Sequence, residues 1–268
     1  NESLKKYPNN ILVSYLDTKY TYKEGAKWIN NLVNKLHNVP KGSNIAILTH
    51  RSHFYLLTAL SVLSHGSAYV PIDDTYPDER VKFMLKDSDA KAILVTNETI
   101  DRVKKITNIS IINVSDITSN GTLKPLTINA NEDDTAVILY TSGTTGEPKG
   151  SFITRLAILN VCSNYIRQTN LMKTDIYSMH CSCVFDIHTV AYFAPLMVGA
   201  QTDIIPANVR IDFNQLNKHF NNVGTTHTFI STQAGKLYAS MNLKSKLKVL
   251  FVGGEYLGKY QVSNNFRM

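Results

Sequence analysis

The feature that most constrains the fold is a regular alternation of short apolar runs with helix-like segments. Asn44–Leu48 and Ala92–Val95 are almost wholly apolar, which is typical of strands buried on both faces. A helix-like segment, Phe54–Leu63, follows the first run and is closed by Gly66. Repeated units of this kind predict an α/β fold in which helices cover largely parallel sheets.

The same pattern continues along most of the chain. A second group of segments predicts further strands: Ile11–Leu16, Ala68–Ile72, Ala136–Leu139, Gln201–Ile205, Thr226–Ile230 and Leu247–Val252. A third group predicts helices: one beginning at Pro77 with acidic residues in its first turn, then Leu156–Ile166, Tyr192–Val198 and Asn214–Phe220. The stretch from 108 to 131 is rich in polar residues and predicts loops with one or two short strands.

Composition excludes several classes of function. The 28 basic residues exceed the 21 acidic ones by seven, but they are scattered and form no stripe interleaved with aromatic residues, so no nucleic-acid partner is expected. No apolar run is long enough to span a membrane. Three cysteines are too few for a disulfide framework, which favours a reducing, cytoplasmic location.

The chemistry of the chain is concentrated in a glycine-rich segment, residues 140–150, which directly follows the predicted strand Ala136–Leu139. Its eleven residues include three glycines, four Ser or Thr hydroxyls and Lys149. Glycines let backbone N–H groups approach an anion, hydroxyls donate hydrogen bonds, and an ammonium offsets charge. The segment therefore indicates a site for the polyphosphate of ATP.

Simpler readings of this segment fit less well. A Walker A loop needs Gly-Lys-Ser/Thr at its end, but Lys149 stands between Pro148 and Gly150. The dinucleotide fingerprint is also absent. A plain surface loop is the remaining alternative, since Gly, Ser, Thr and Pro all favour turns.

The order Thr-Ser-Gly-Thr-Thr-Gly-Glu-Pro-Lys-Gly at 141–150 resembles the phosphate-loop signature of the adenylate-forming enzymes. Other blocks resemble the adenylation domains of nonribosomal peptide synthetases in that superfamily. They are 20–24 (Tyr-Thr-Tyr-Lys-Glu), 66–73 (Gly-Ser-Ala-Tyr-Val-Pro-Ile-Asp), 76–80 (Tyr-Pro-Asp-Glu-Arg), 185–186 (Phe-Asp) and 252–255 (Val-Gly-Gly-Glu). The resemblance runs along essentially the whole chain.

The resemblance implies a reaction in which a carboxylate attacks the α-phosphate of ATP, pyrophosphate leaves, and the acyl group passes to the phosphopantetheine thiol of a peptidyl carrier protein or domain. Mg²⁺ is the implied counter-charge, and no residue of this chain is assigned to it. Lys149 and Thr144 are implied as catalytic. The implied ATP-binding residues are Thr141, Ser142, Gly143, Thr144, Thr145, Gly146, Lys149, Gly253, Gly254 and Glu255.

The resemblance also implies a site for an amino acid. Asp186 would pair with the α-ammonium, whereas from the sequence alone a helix cap is the better reading of this residue. The implied pocket residues are Ile187, Val190, Phe229, Phe251 and Gly253. Because these residues carry no charge, we expect an apolar α-amino acid.

Two segments depart from the family pattern. In one, His188 stands where the family has Ser and Val190 stands where it usually has an aromatic residue; in the other, Arg155 stands where the family commonly has His. Cys181 and Cys183, with His180 and His188, could suggest zinc. Two cysteines that are two residues apart on a predicted strand lie on the same face of it. We therefore favour buried structural cysteines over a zinc site.

The sequence leaves three functions open. Residues 1–268 are expected to be part of the N-terminal core subdomain of an amino-acid-adenylating domain. The rest of that core and the small C-terminal domain are expected to lie outside these residues, and the piece alone is expected to be inactive. The alternatives are part of an acyl-CoA or aryl-acid ligase, and a degenerate binding domain that no longer catalyses.

Overall fold

The computed structural model describes residues 2–124, 130–142 and 148–259. Their strands are β1 Ile11–Tyr15, β2 Thr18–Thr21, β3 Asn44–Leu48, β4 Ala68–Pro71, β5 Ala90–Val95, β6 Ser110–Asn113, β7 Thr135–Ser142, β8 Pro148–Thr154, β9 Ile176–Met179, β10 Gln201–Ile204, β11 His227–Ser231 and β12 Val249–Gly253. Their helices are α1 Glu2–Lys6, α2 Tyr22–Lys35, α3 His53–His65, α4 Asp78–Asp87, α5 Ile100–Ile106, α6 Arg155–Thr169, α7 His188–Val198, α8 Phe213–Val223 and α9 Thr232–Ser240, with a 3₁₀ turn at Leu36–Asn38.

The chain divides into two compact units. Unit 1 comprises Lys23–Asn160 and Cys183–Asp186, and unit 2 comprises Glu2–Tyr22, Val161–Ser182 and the segment from Ile187 onward. Each unit contains one six-stranded sheet. The predicted α/β class with helix-covered, largely parallel sheets is confirmed, and no helix among the described residues is both long and apolar enough to span a bilayer.

The sheet of unit 1 has the strand order β6-β5-β3-β4-β7-β8, and only the β7–β8 pair is antiparallel. Its central strands are buried along nearly their whole length, as the continuous apolar runs predict. α3 begins at the N-cap Ser52, whose hydroxyl accepts from the N–H of Phe54, and ends at Gly66, whose φ of +91° suits a glycine.

The sheet of unit 2 has the order β12-β11-β9-β10-β1-β2, with β1 and β2 antiparallel and the other pairs parallel. Asp212 caps α8 by accepting from the N–H groups of Asn214 and Gln215, and Gly224 closes it with a φ of +84°. A core cluster that includes Phe220, Ile230 and Leu250 packs this helix and α9 against the sheet.

Several sequence expectations need correction. α7 begins at His188, four residues before the predicted Tyr192, and β2, β8, β9, α5 and α9 were not predicted as regular elements. Cys181 and Cys183 do not lie in a strand, because β9 ends at Met179 and the chain bends and turns after it. β9 escapes prediction because it has only four residues and one of them, Ser178, is polar.

Candidate functional site: a hydroxyl–ammonium hairpin and an aromatic wall

The glycine-rich segment of unit 1 is carried by an antiparallel hairpin. β7 and β8 pair from Thr135 opposite Thr154 to Ser142 opposite Pro148. The sequence predicts a loop for Thr141, Ser142 and Lys149, but the structure places all three in the paired strands. Gly143, Thr144, Thr145 and Gly146 lie outside the described residues, so their assignments stay predictions.

The hairpin aligns a hydroxyl with an ammonium. Thr141 lies directly opposite Lys149, and both residues are exposed. Residues directly opposite each other in an antiparallel pair project from the same face, with Cβ atoms about 5 Å apart. One Thr hydroxyl and one Lys ammonium are therefore available on the same exposed face to bind a phosphate group.

The base of the hairpin is rigidly packed. The hydroxyl of Tyr140 donates to Asp87 Oδ2 at 2.7 Å, and burial together with this carboxylate raises the pKa of Tyr140. Gly150 lies opposite Tyr140, where a Cβ would stand 3.2 Å from Ile138 Cγ2 and 3.3 Å from Tyr140 Cζ. The lack of a side chain at Gly150, the last glycine of the motif, therefore lets this residue pack closely against Ile138 and Tyr140.

Asp186 is an exposed residue of unit 1 in the turn that precedes α7. The N-cap position of α7 belongs to Ile187, whose side chain makes no capping bond. The helix-cap interpretation of Asp186 is therefore not supported.

Unit 2 holds most of the predicted pocket residues. Phe229 on β11 and Phe251 on β12 stand opposite each other in parallel register, with ring centroids 5.9 Å apart. A Cβ on Gly253 would lie 3.4 Å from Phe229 Cε2, which is ordinary contact. These three residues thus form one aromatic wall near the carboxyl ends of β11 and β12, where ligands of parallel sheets commonly bind.

The remaining predicted residues of unit 2 lie on other elements. Val190 is buried on α7, which packs against β9 and β10, and Ile187 at its start is half-buried. Beyond β12, Gly254 has a φ of +96° and turns the chain, and Glu255 is exposed. The carbonyl of Glu255 accepts a hydrogen bond from Thr232 Oγ1 at 3.2 Å.

Comparison with known families places this architecture. The family model described as AMP-binding enzyme matches residues 1–263. The chain belongs to this family. The adenylate-forming resemblance inferred from the glycine-rich segment is thereby confirmed.

The relatives of this AMP-binding domain include peptide synthases. It is 29% identical to bacitracin synthase 1 of Bacillus licheniformis over 99% of this chain and 5% of that protein. It is 30% identical to gramicidin S synthase 2 of Brevibacillus brevis over 80% of this chain and 5% of that protein. It is 28% identical to enterobactin synthase component F of Escherichia coli O157:H7 over 96% of this chain and 20% of that protein. The chain thus spans a fifth or less of these relatives.

Solved structures share the fold. The nonribosomal peptide synthetase FmoA3, bound to α-methyl-L-serine-AMP, superposes with a TM-score of 0.86 at 21% identity, over 96% of this chain and 29% of that one. The N-terminal subdomain of Klebsiella oxytoca NpsA, in complex with 3-hydroxybenzoyl-AMSN, superposes with a TM-score of 0.81 at 21% identity, over 96% of this chain and 65% of that one.

The two departures from the AMP-binding family pattern have structural roles. Arg155 begins α6, and its Nη2 donates to the carbonyls of Leu63 and Ser67 at 3.2 Å each, where α3 ends. Burial lowers the pKa of Arg155. His188 is fully buried in α7 and meets Tyr192 edge to face at 5.9 Å. His188 is thus buried and Arg155 is half-buried.

The zinc alternative gains no support. Within residues 2–124, 130–142 and 148–259, no group of three or more His, Cys, Asp or Glu side chains is placed to hold a metal ion. Cys162 and Cys181 are buried, and burial raises the pKa of Cys162 to about 12, so this thiol stays protonated and unreactive at neutral pH.

One relevant residue had no motif to reveal it. Tyr165 on α6 is buried, with its ring centroid 5.8 Å from that of Phe251. The two residues lie far apart in sequence, and a single aromatic residue on a helix normally indicates core packing.

Proposed function

We propose that the protein containing this chain activates an α-amino acid with an apolar side chain. The carboxylate of the amino acid attacks the α-phosphate of ATP, pyrophosphate leaves, and the aminoacyl group then passes to a thiol of a carrier protein. The observation that carries this proposal is the register of the hairpin, in which Thr141 stands opposite Lys149 on an exposed face.

The hairpin suits the phosphate half of the reaction. Joining two anions requires that phosphate charge be neutralised where it develops. Lys149 supplies one positive charge, and the hydroxyls of Thr141, Ser142, Thr144 and Thr145 with the backbone of Gly143 and Gly146 would bind the β- and γ-phosphates. Mg²⁺ would add further neutralising charge when bound with ATP.

For the substrate half, we propose the roles that the family resemblance implies. Asp186 would accept the α-ammonium, and Ile187, Val190, Phe229, Phe251 and Gly253 would contact the side chain. Gly253, Gly254 and Glu255 would face the adenine part of ATP. The apolar character of Phe229 and Phe251 supports an apolar substrate, because a charged side chain beside them would lose its hydration without a partner.

We infer that residues 1–268 are part of an N-terminal adenylation subdomain that works with a C-terminal subdomain and a peptidyl carrier domain in a cytoplasmic enzyme. The match to 65% of the NpsA N-terminal subdomain chain supports this boundary. By the resemblance to adenylate-forming enzymes, further groups that hold adenine, ribose and Mg²⁺ would come from the rest of the adenylation domain. The chain alone is therefore expected to bind ATP weakly and to catalyse poorly.

The test compares two substrates that differ by one group. In the full-length protein, ATP–pyrophosphate exchange is measured with leucine and with 4-methylpentanoate, which lacks only the α-amino group. The wild type should favour leucine by at least about 100-fold, because 4-methylpentanoate has no α-ammonium to pair with the carboxylate of Asp186. Asp186→Asn should remove most of that preference, and Asp116→Asn, at another exposed aspartate of unit 1, should leave it unchanged.

Other results favour the alternatives. Exchange driven by 4-methylpentanoate or benzoate in preference to amino acids would indicate an acyl-CoA or aryl-acid ligase. Failure of every acid to drive exchange in the full-length protein would indicate a binding domain that no longer catalyses.

A further inference from the structure

One face of the unit 2 sheet carries a continuous set of aromatic side chains. Tyr177 on β9 stands opposite His227 on β11, and Phe229 on β11 stands opposite Phe251 on β12. Opposite residues of parallel strands, and residues two apart on one strand, share a face. The four rings therefore line one face across three neighbouring strands.

Tyr165 of α6 lies against this face and contacts three of its four rings. Its centroid is 5.8 Å from Tyr177, 6.3 Å from His227 and 5.8 Å from Phe251. The contact with Phe251 is edge to face at 76°, an arrangement that the ring quadrupoles favour. Tyr165 is thus the residue through which the helix supports the wall.

Phe251 depends on that support because it is only partly enclosed. Its side chain is 39% exposed, whereas Tyr165 is 6% exposed and Phe229 is 9% exposed. The ring of Phe251 therefore has neighbours on its inner side and open space on the other. Removal of a supporting ring from a packed interior lets its neighbours shift into the vacated volume.

Two titratable rings next to Phe229 and Phe251, those of His227 and Tyr165, favour their uncharged forms. Burial lowers the pKa of His227, whose Nε2 has no hydrogen-bond partner among the described residues, and burial raises the pKa of Tyr165. Neutral rings of His227 and Tyr165 beside Phe229 and Phe251 are consistent with a pocket for apolar side chains.

We propose that Tyr165 is a positioning residue that determines specificity: it holds the ring of Phe251 in place and so sets the size of the apolar side chain that the enzyme accepts. This inference rests on the proposed function for the role of Phe251, but the contact between the two rings does not. Two measurements test separately whether Tyr165 positions Phe251 and whether this contact affects substrate specificity.

The first measurement needs no activity. 4-Fluorophenylalanine is incorporated in place of Phe251 in the full-length protein, and its ¹⁹F resonance is recorded. Tyr165→Leu should shift or broaden this resonance, and Tyr165→Phe, which keeps the ring, should leave it nearly unchanged. The matched control is Tyr238→Leu, because Tyr238 is equally buried in unit 2 but packs against Phe213 and Phe220. An unchanged resonance in Tyr165→Leu would overturn the positioning role.

The second measurement is the substrate profile in ATP–pyrophosphate exchange with alanine, valine, leucine and phenylalanine. Tyr165→Leu should change the ratio of kcat/KM between larger and smaller side chains by about tenfold in favour of larger ones. The change should lie in the KM for the amino acid, and the KM for ATP should stay constant. Tyr165→Phe and Tyr238→Leu should keep the wild-type profile.

The outcomes are distinguishable. A uniform fall in kcat/KM for all four amino acids would contradict a role in specificity. If no amino acid drives exchange in the wild type, the proposed function and the specificity role fail together, and the ¹⁹F result still decides whether Tyr165 positions Phe251. Should Tyr165→Leu not fold, Tyr165→Met, whose unbranched side chain adapts more readily to an irregular space, must give the same shifts.

Discussion

The hairpin of unit 1 and the aromatic wall of unit 2 achieve their geometry in opposite ways. Thr141 and Lys149 are exposed and stand opposite each other through backbone pairing alone. Phe229 and Phe251 come from different strands and depend on a buried ring, Tyr165, from a helix. In the proposed function, recognition of phosphate would rest on the type of side chain, and recognition of an apolar group would rest on shape.

The largest expected effect concerns charge at the hairpin. Lys149→Ala should lower kcat/KM for ATP in pyrophosphate exchange by about 100-fold or more, because one donor of positive charge to the phosphates is lost. Lys149→Arg should retain part of the activity. Lys19→Ala, at an exposed lysine on edge strand β2, serves as the control and should have no effect. An equal loss in both alanine variants would show that general surface charge, and not the hairpin, matters.

The second prediction concerns an ion pair between the segments that precede β9 and β12 in the sheet of unit 2. Asp175, just before β9, has a fully buried side chain and accepts from Lys248 Nζ at 2.6 Å and from the N–H of Met172 at 2.8 Å. Burial alone would raise the pKa of Asp175, but these donors outweigh it, and the pKa lies below the ordinary value of 3.8. Lys248→Met should lower the free energy of unfolding by about 2 kcal/mol at pH 7.

The pH dependence follows from the sign of that shift. Because the pKa of Asp175 is lower in the folded state, its stabilisation is fully present above about pH 4 and is lost as the pH falls through the folded value. The difference between wild type and Lys248→Met in urea unfolding should therefore shrink towards pH 2. Lys104→Met, which breaks an exposed pair with Asp101 in unit 1, should cost less than about 0.5 kcal/mol at either pH. If the difference in stability between wild type and Lys248→Met grew on acidification, the lowered pKa of Asp175 in the folded state would be contradicted.

The third prediction concerns the shape of the wall. Phe251→Ala should lower kcat/KM for the preferred apolar amino acid by about tenfold and leave the KM for ATP unchanged, because only side-chain contacts are lost. Tyr256→Ala removes a ring that is 90% exposed just beyond β12 and should change neither constant. A rise in the KM for ATP in Phe251→Ala would mean that the wall does not act on the amino acid alone.

The smallest effects come from one glycine in each region. Gly150→Ala should destabilise unit 1 by about 1 kcal/mol, since its Cβ would press on Ile138 and on Tyr140, which Asp87 holds in place. Gly253→Ala should leave stability within about 0.5 kcal/mol, because its Cβ meets Phe229 at ordinary contact distance. Thermal unfolding of both variants checks this contrast, and equal destabilisation would refute it.

The same contrast explains what could be predicted from the sequence. The buried strand Asn44–Leu48 and the part of β5 from Ala92 to Val95 were predicted because they are almost wholly apolar, and the end of α3 was predicted from Gly66. The hairpin residues were recognised as a local motif, but β8 was read as loop because its first residues are Pro, Lys and Gly.

The rest depended on contacts between distant parts of the chain. Nothing local to Tyr165 indicates that it meets Phe251, because the contact exists only after β9, β11 and β12 have paired. Arg155 likewise gave no sign that it would bind the carbonyls of Leu63 and Ser67 at the end of α3. Such roles come from the tertiary fold and not from residue type.

The central claim is that the full-length protein transfers the AMP part of ATP to the carboxylate of an apolar α-amino acid and releases pyrophosphate. Its most direct test is ATP–pyrophosphate exchange by the purified wild-type protein across the proteinogenic amino acids, matched fatty acids and benzoate. The account predicts exchange driven by one or a few apolar amino acids and not by acids that lack the α-amino group. Exchange driven by fatty or aryl acids instead, or by none of these compounds, would contradict it.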